Sequence, residues 1–178
     1  MKNFFKYVVA IAVFSFLFGC SSCGHQSPRY VILAHEITEK TGKELKAQKN
    51  LYLIGTGGGM MDDIQMMAMS FNYYQEVDLK KARELLVYVV SQYLLAINGN
   101  TEVRPYLHEY PFTAKNVEIR MWIYKPDRSR LTSDKIYYIS AINGVLNYYI
   151  HGLEQYSRQT LCEETYQEAL KMVKLQGV

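Results

Sequence analysis

Residues 117–124 read VEIRMWIY, in which apolar side chains alternate with polar or aromatic ones. Alternation with a period of two is typical of a strand that has one face on the core. Two further apolar runs, residues 136–142 and 145–150, flank Asn143-Gly144, and this dipeptide is the strongest short signal for a hairpin turn. Together these segments predict a three-stranded antiparallel meander in the second half of the chain.

The clearest helix is predicted over about residues 79–97. Apolar residues recur there at helical spacing and form one continuous stripe, whereas charged and polar residues largely fill the other side. Asp78 precedes the stripe as an N-cap, and Asn98-Gly99 ends it, because glycine readily adopts the left-handed conformation of a C-terminal cap. We therefore expect this helix to be the main core element. The apolar stripe consists of Leu79, Ala82, Leu85, Leu86, Val89, Tyr93, Leu94 and Ile97.

Two further helices and two further strands are predicted outside these elements. The first helix covers about residues 28–48, since Pro28 suits the first turn of a helix. Strands are expected at residues 51–54 and 64–74. The last helix is predicted over about residues 160–175, because its first four residues, TLCE, match the spacing of a capping box.

The predicted order of elements is helix, strand, strand, helix, three strands and helix. This order lacks an evident β-α-β repeat, and its last strands form hairpins. It predicts an α+β fold in which an antiparallel sheet of about five strands is covered mainly on one face by about three helices. Residues 28–178 are long enough for a single domain with its own core.

A glycine-rich stretch follows the strand predicted at residues 51–54. Bare backbone N–H groups at Gly57, Gly58 and Gly59 could cradle an anion such as phosphate. The dinucleotide fingerprint would require glycine where the chain has Met60, and the lysine of a phosphate-binding P-loop is absent. We therefore expect a mobile loop, and anion binding is the alternative.

The segment between the predicted main helix and the meander is the best candidate for a ligand-facing loop. Its two prolines oppose regular structure, and Arg104, Tyr106, His108 and Tyr110 bring a cation, a titratable ring and two hydroxyls close together in sequence. Binding residues are often carried by loops on rigid scaffolds. The alternative is that the apolar residues of this loop simply plug the junction between sheet and helix.

Metal-binding and catalytic patterns are incomplete in this sequence. His35 and Glu39 only partly match the zinc-protease pattern, whose second histidine is replaced by the glutamate. The methionines of residues 60–69 could bind a soft metal such as copper(I), although packing of an irregular core explains them equally well. An enzyme would need an acid–base pair such as Asp63 with His108. We therefore predict no resident metal or cofactor.

The first twenty residues, MKNFFKYVVAIAVFSFLFGC, have a different character. Lys2 and Lys6 give a positive start, and a run of twelve residues, 7–18, is apolar except for Ser15. That run suits the core of a signal peptide and is shorter than the roughly 20 residues of a membrane-spanning helix. The stretch resembles a bacterial lipoprotein signal peptide that ends in the lipobox Leu17-Phe18-Gly19-Cys20.

This resemblance implies cleavage before Cys20 and acylation of that cysteine. Residues 1–19 would be the signal peptide and residues 20–27 a lipid-anchored tether, and two or three acyl chains hold a protein stably on a membrane. Ser21 resembles the outer-membrane sorting preference of many lipoproteins. The segment from Arg104 to Tyr148 is similar to uncharacterised bacterial lipoproteins, a family without an assigned activity, and this supports one compact domain.

Charge and cysteine content limit the possible partners further. The chain has a formal charge of +3, and loss of Lys2 and Lys6 with the leader would leave +1, so no nucleic-acid partner is expected. Of the three cysteines, Cys23 and Cys162 would remain unacylated. The envelope is oxidising, so a disulfide between them is an open alternative.

We expect a lipid-anchored protein of the cell membrane or outer membrane that faces the periplasm or the exterior. Its expected role is that of a non-enzymatic binding or structural module with an envelope protein as partner. A periplasmic binder of a small ligand or of copper is the alternative, and an enzyme is the third hypothesis.

Overall fold

The computed structural model describes residues 27–152 and 157–176. The predicted signal peptide, the lipidation site Cys20 and all but the last residue of the tether lie outside these residues. Cys23 lies outside them as well. The lipoprotein signal therefore stays a prediction, and a disulfide between Cys23 and Cys162 stays an open alternative.

The described residues form three helices and six strands, and the α+β prediction is confirmed. A short 3₁₀ helix, Arg104–Tyr106, lies in the loop between the second helix and the third strand. In chain order the elements are α1 (Arg29–Lys49), β1 (Tyr52–Met60), β2 (Ile64–Tyr73), α2 (Leu79–Gly99), β3 (Val117–Ile123), β4 (Tyr138–Ile142), β5 (Val145–His151), β6 (Arg158–Thr165) and α3 (Tyr166–Gln176).

The strands form one sheet in the order β1-β2-β3-β4-β5-β6. The predicted meander is confirmed, since β3, β4 and β5 pair antiparallel and β6 extends them. β2 and β3 pair in parallel, with Met67 opposite Val117 and Tyr73 opposite Ile123. The sheet is therefore mixed and contains a β2-α2-β3 unit, which the sequence pattern did not indicate.

All three helices lie on one face of the sheet, as predicted. α1 packs on β1 and β2, α2 on β3 and β4, and α3 on β5 and β6. The odd-numbered residues of β3 point into this interface: Val117, Ile119 and Met121 have no measurable exposure. The predicted main helix, α2, packs against both other helices and is the central core element.

The end of the chain differs from the prediction. Residues 158–165, part of which was expected to begin the last helix, form β6, so the sheet has six strands instead of five. The capping box lies five residues later, at Thr165 and Glu168. The Thr165 N–H donates to Glu168 Oε2 at 2.8 Å, and the Glu168 N–H donates to Thr165 Oγ1 at 3.3 Å. Both sites have the same T-x-x-E spacing, so local sequence could not separate them.

The glycine-rich stretch is part of a strand, so the prediction of a loop at Gly57, Gly58 and Gly59 is wrong. Gly57 pairs with Ala68 and Gly58 with Met67 in the β1–β2 ladder. A phosphate cradle would need several neighbouring N–H groups that converge, whereas successive N–H groups of a strand point in opposite directions. The stretch therefore offers an extended edge in place of an anion loop.

A buried ion pair fastens α2 to β6. Arg83 Nε donates to Glu164 Oε1 at 2.7 Å, and the Tyr148 hydroxyl donates to the same oxygen at 2.7 Å. Both charged side chains are at most 10 % exposed. Burial lowers the pKa of Arg83, but the hydrogen bond and the charge of Glu164 outweigh burial and raise it. The pKa of Tyr148 is raised, chiefly by burial. The pair therefore holds two charges that are costly to separate.

We expect Glu164→Gln to lower the free energy of unfolding by about 3 kcal/mol, because it leaves the Arg83 charge buried without a countercharge. Urea unfolding of the purified protein measures the effect. Arg29→Gln is the control, since it breaks the exposed Arg29–Glu102 pair (2.6 Å) and should cost less than about 1 kcal/mol. Equal losses in the two variants would contradict this account.

Two neighbouring glycines of β1 should respond oppositely to alanine. A β-carbon at position 58 would lie 2.6 Å from the Met66 carbonyl oxygen, whereas one at position 57 would meet only the Ala68 side chain at 3.9 Å. Gly58→Ala should therefore lower the free energy of unfolding by about 1–3 kcal/mol. Gly57→Ala should leave it unchanged or raise it by up to about 1 kcal/mol. Thermal unfolding of both variants provides the measurement, and a tolerated Gly58→Ala would contradict the β1–β2 register.

Candidate functional site

The strands define two ends of the sheet. α1 packs on β1 and β2 and runs from one end to the other. At the end where α1 begins, Arg29 pairs with Glu102, and the Tyr30 hydroxyl donates to the Met61 carbonyl at 2.7 Å. We call this the proximal end. At the end where α1 stops, Lys46 lies over the Tyr52 ring. We call this the distal end.

The predicted ligand-facing loop lies at the proximal end, where its four residues contact different neighbours. The Arg104 guanidinium lies 4.5 Å from the Tyr110 ring centre. The ring centres of Tyr106 and Tyr30 are 6.0 Å apart. His108 faces the β1–β2 turn. Leu107 and Phe112 are buried in the core, as the alternative prediction for this loop held. The four residues thus occupy one end of the molecule without converging on a common ligand position.

Asp63 and His108, the pair that an enzyme would need, are in contact. His108 Nδ1 lies 2.6 Å from Asp63 Oδ2, and the His108 side chain is 61 % exposed. The hydrogen bond to Asp63, followed by the Asp63 charge, raises the pKa of His108. Within residues 27–152 and 157–176, Asp63 is the only side chain that bonds to this ring. The pair therefore joins the loop to the β1–β2 turn, and no described nucleophile is hydrogen-bonded to it.

The candidate metal ligands are dispersed. Met67 and Met69 point into the core and are at most 1 % exposed, whereas Met61 is 82 % exposed on the β1–β2 turn. His35 is exposed on α1. Among the residues that the structure describes, no group of three or more His, Cys, Asp or Glu side chains is placed to hold a metal ion.

The face of the sheet opposite the helices carries two groups of aromatic rings. Even-numbered residues of β3 point to this face, because the odd-numbered ones fill the core. Trp122, Tyr138 and Tyr149 lie side by side across β3, β4 and β5, with ring centres 5.2 and 5.5 Å apart. We call the whole set the aromatic face. It consists of Tyr52, Tyr74, Trp122, Tyr124, Tyr138 and Tyr149.

Arginines lie over this face. The Arg158 guanidinium is 5.2 Å from the Tyr138 ring centre and 5.6 Å from that of Tyr149, and Arg128 is 5.4 Å from that of Tyr74. Tyr138 is only 7 % exposed although no described helix covers this face. Burial raises the pKa of Tyr138, against the opposing charges of Arg120 and Arg158. Cation–ring contacts of this kind attract when partly shielded from water, so the aromatic face is an ordered surface.

A cavity of about 450 Å³ opens where this face meets the distal end. We call it the distal cavity. Tyr137 and His151 stack in its wall, with ring centres 3.9 Å apart and planes inclined by 10°. Arg130, from the loop between β3 and β4, contributes a cation. The side chains that matter most for its chemistry are Trp122, Tyr124, Arg130, Leu131, Tyr137 and His151.

Sequence analysis did not single out this cavity. Its residues come from the ends of β3 and β5 and from the loops that follow these two strands, so no local motif unites them. One signal was present in residues 117–124. The residues that alternate with the core residues include Trp122 and Tyr124, and large rings on the solvent side of a strand can mark a binding surface.

Comparison with protein-family models, with curated proteins and with solved structures found no match to this chain. None of the three helices in the described ranges has the length and hydropathy of a membrane-spanning segment. The function of the site therefore has to be inferred from its own geometry.

The Asp63–His108 contact should make stability depend on pH. Because the pKa of His108 is raised, the pair stabilises the fold below the ordinary histidine pKa of about 6.5, and this contribution is lost as the pH rises through the raised value. We expect His108→Gln to reduce the fall in melting temperature between pH 5.5 and pH 9, settings chosen to be about one to three pH units from that pKa. His35→Gln, which changes an exposed side chain of α1, is the control and should keep the wild-type slope. An unchanged slope in His108→Gln would contradict the pairing.

Proposed function

We propose that this protein is a lipid-anchored envelope protein whose domain acts as a non-enzymatic binding module through the aromatic face and the distal cavity. The observation that carries the proposal is the position of that cavity. It lies at the opposite end of α1 from the start of the domain. α1 has 21 residues, so the two ends are about 31 Å apart at 1.5 Å per residue.

Anchoring at Cys20 would limit how far the proximal end can move from the lipid surface. A tether of residues 20–27 reaches at most about 28 Å when fully extended, and it joins the domain beside Arg29 at the proximal end. The proximal end would then stay near the lipid surface. The aromatic face and the distal cavity would extend into the aqueous compartment, where a ligand can reach them.

A small ligand is the occupant that the distal cavity favours over an envelope protein partner alone. Its volume of about 450 Å³ lies within the range of about 300–1,000 Å³ typical of ligand sites, which combine apolar walls with a few polar groups. The second candidate, an enzyme, would use Asp63 and His108. That pair is at the proximal end and away from the cavity, so we favour binding over catalysis. Copper binding is also less favoured, since Met67 and Met69 fill the core.

The anchoring part of the proposal rests on one cysteine. In bacteria that express the full chain, the wild-type protein should incorporate a labelled fatty acid and show the corresponding increase in intact mass. Cys20→Ser should abolish both, because a hydroxyl cannot form the thioether that holds the lipid. Intact-mass analysis of the detergent-extracted protein measures the change.

Cys23→Ser is the matched control, since it removes a cysteine three residues away and should leave the acyl mass in place. A wild-type protein of unmodified mass would overturn the anchoring proposal and leave a secreted or unprocessed domain. Loss of the acyl mass in Cys23→Ser, but not in Cys20→Ser, would move the anchor to the second cysteine.

A further inference from the structure

The distal cavity combines a cation, flat rings and an opening to water. We propose that it binds an anionic sugar, that is, a sugar ring that carries a carboxylate or a phosphate. This names the ligand class of the binding site proposed above and therefore rests on that proposal. Three properties of the cavity carry the argument: its charge, the orientation of its rings and its exposure to solvent.

Among the described residues that line the cavity, Arg130 carries the one formal charge. Within residues 27–152 and 157–176, Arg130 forms no ion pair and no hydrogen bond through its side chain, and no carboxylate lies among the residues that line the cavity. Arg158 lies over the adjoining rings of Tyr138 and Tyr149. A guanidinium presents a planar fork of donors that matches a carboxylate or a phosphate. The cavity therefore favours an anionic group on its ligand.

The rings provide a flat wall beside this cation. Trp122 is half-buried, so part of its indole ring is open to a ligand. The Tyr137–His151 stack has two nearly parallel planes, and its rings carry a hydroxyl and two nitrogens. Indole and phenol rings combine an apolar surface with a polar rim. A sugar has the same duality, with C–H groups on one side of its ring and hydroxyls around it.

The open position of the cavity separates a sugar from a hydrocarbon acid and from a bare anion. The cavity reaches the buried side chains of Ile123 and Leu131 but opens to solvent, so one side of any ligand stays in water. A hydroxylated outer side is well solvated there, whereas an apolar outer side would gain little from binding. An inorganic anion would use Arg130 but leave the rings without a partner. A sugar acid uses both.

The chain offers its own reporter for this test, because Trp122 is its one tryptophan and lies in the cavity wall. The full-length protein, purified in detergent, is titrated with glucuronate, glucose 6-phosphate, glucose, benzoate and inorganic phosphate. We expect saturable changes in Trp122 emission with glucuronate or glucose 6-phosphate. Glucose and inorganic phosphate should bind about 10- to 100-fold more weakly, since each lacks one half of the recognition.

Arg130→Gln should weaken binding of the acidic sugar about 10- to 100-fold, and Arg130→Lys should lie between this variant and the wild type, because lysine keeps the charge but not the planar fork. Arg29→Gln, an exposed arginine at the proximal end, is the matched control and should bind as the wild type does. An unchanged melting temperature in Arg130→Gln shows that the variant remains folded.

Several outcomes would overturn the inference. If benzoate bound as tightly as glucuronate, the cavity would recognise an acid on any ring and not a sugar in particular. Inorganic phosphate that binds as tightly as glucose 6-phosphate would make it an anion only. If no probe changed the emission while the protein still carried an acyl mass on Cys20, the proposed ligand class would be wrong and the anchoring proposal would stand. If a protein without acyl mass bound the sugar acid, the anchoring proposal would be wrong and the proposed ligand class would stand.

Discussion

The parallel pairing of β2 with β3 is the constraint on which the rest of the structure depends. It joins the β1–β2 hairpin to the β3–β6 meander, and neither half has a complete core by itself. A parallel neighbour requires a crossover, and α2 is that crossover, so its apolar stripe is buried at the centre of the sheet. The same pairing makes β2 and β3 end together. Tyr74 therefore lies beside Tyr124, and the aromatic face continues across the junction of the two halves.

Much of this fold could be predicted from local patterns. The strict alternation of β3, the Asn143-Gly144 hairpin and the stripe of α2 all describe residues close together in the chain, and each was placed correctly. The failures involve distant partners. Glycine has a low intrinsic preference for strands, and only pairing with β2 holds Gly57 and Gly58 in one. The predicted last helix takes in residues 160–165 of β6, because two capping signals of the same spacing occur five residues apart and the partner that fixes Glu164 in the sheet lies on α2.

The candidate site illustrates the same limit. The sequence identified Asp63 and His108 as a pair that an active site would require, and the fold brings them into contact at an exposed surface. It also identified Arg104 and Tyr110, which contact each other. The distal cavity could not be predicted, because alternation reveals which residues of one strand share a face but not which strands become neighbours. Trp122 of β3 and His151 of β5 line the same cavity only because β4 pairs with both of these strands.

The buried contact of Arg83 with Glu164 has a consequence for how this chain can diverge. The two positions are 81 residues apart, yet neither can lose its charge alone without leaving the other stranded in the core. Replacement of both by apolar residues is the route that physical chemistry leaves open, and it requires two changes in quick succession. Drift at these sites is therefore coupled. Among descendants of this sequence, the pair should be inherited or exchanged as a unit, and Tyr148 should lose its constraint once the acid has gone.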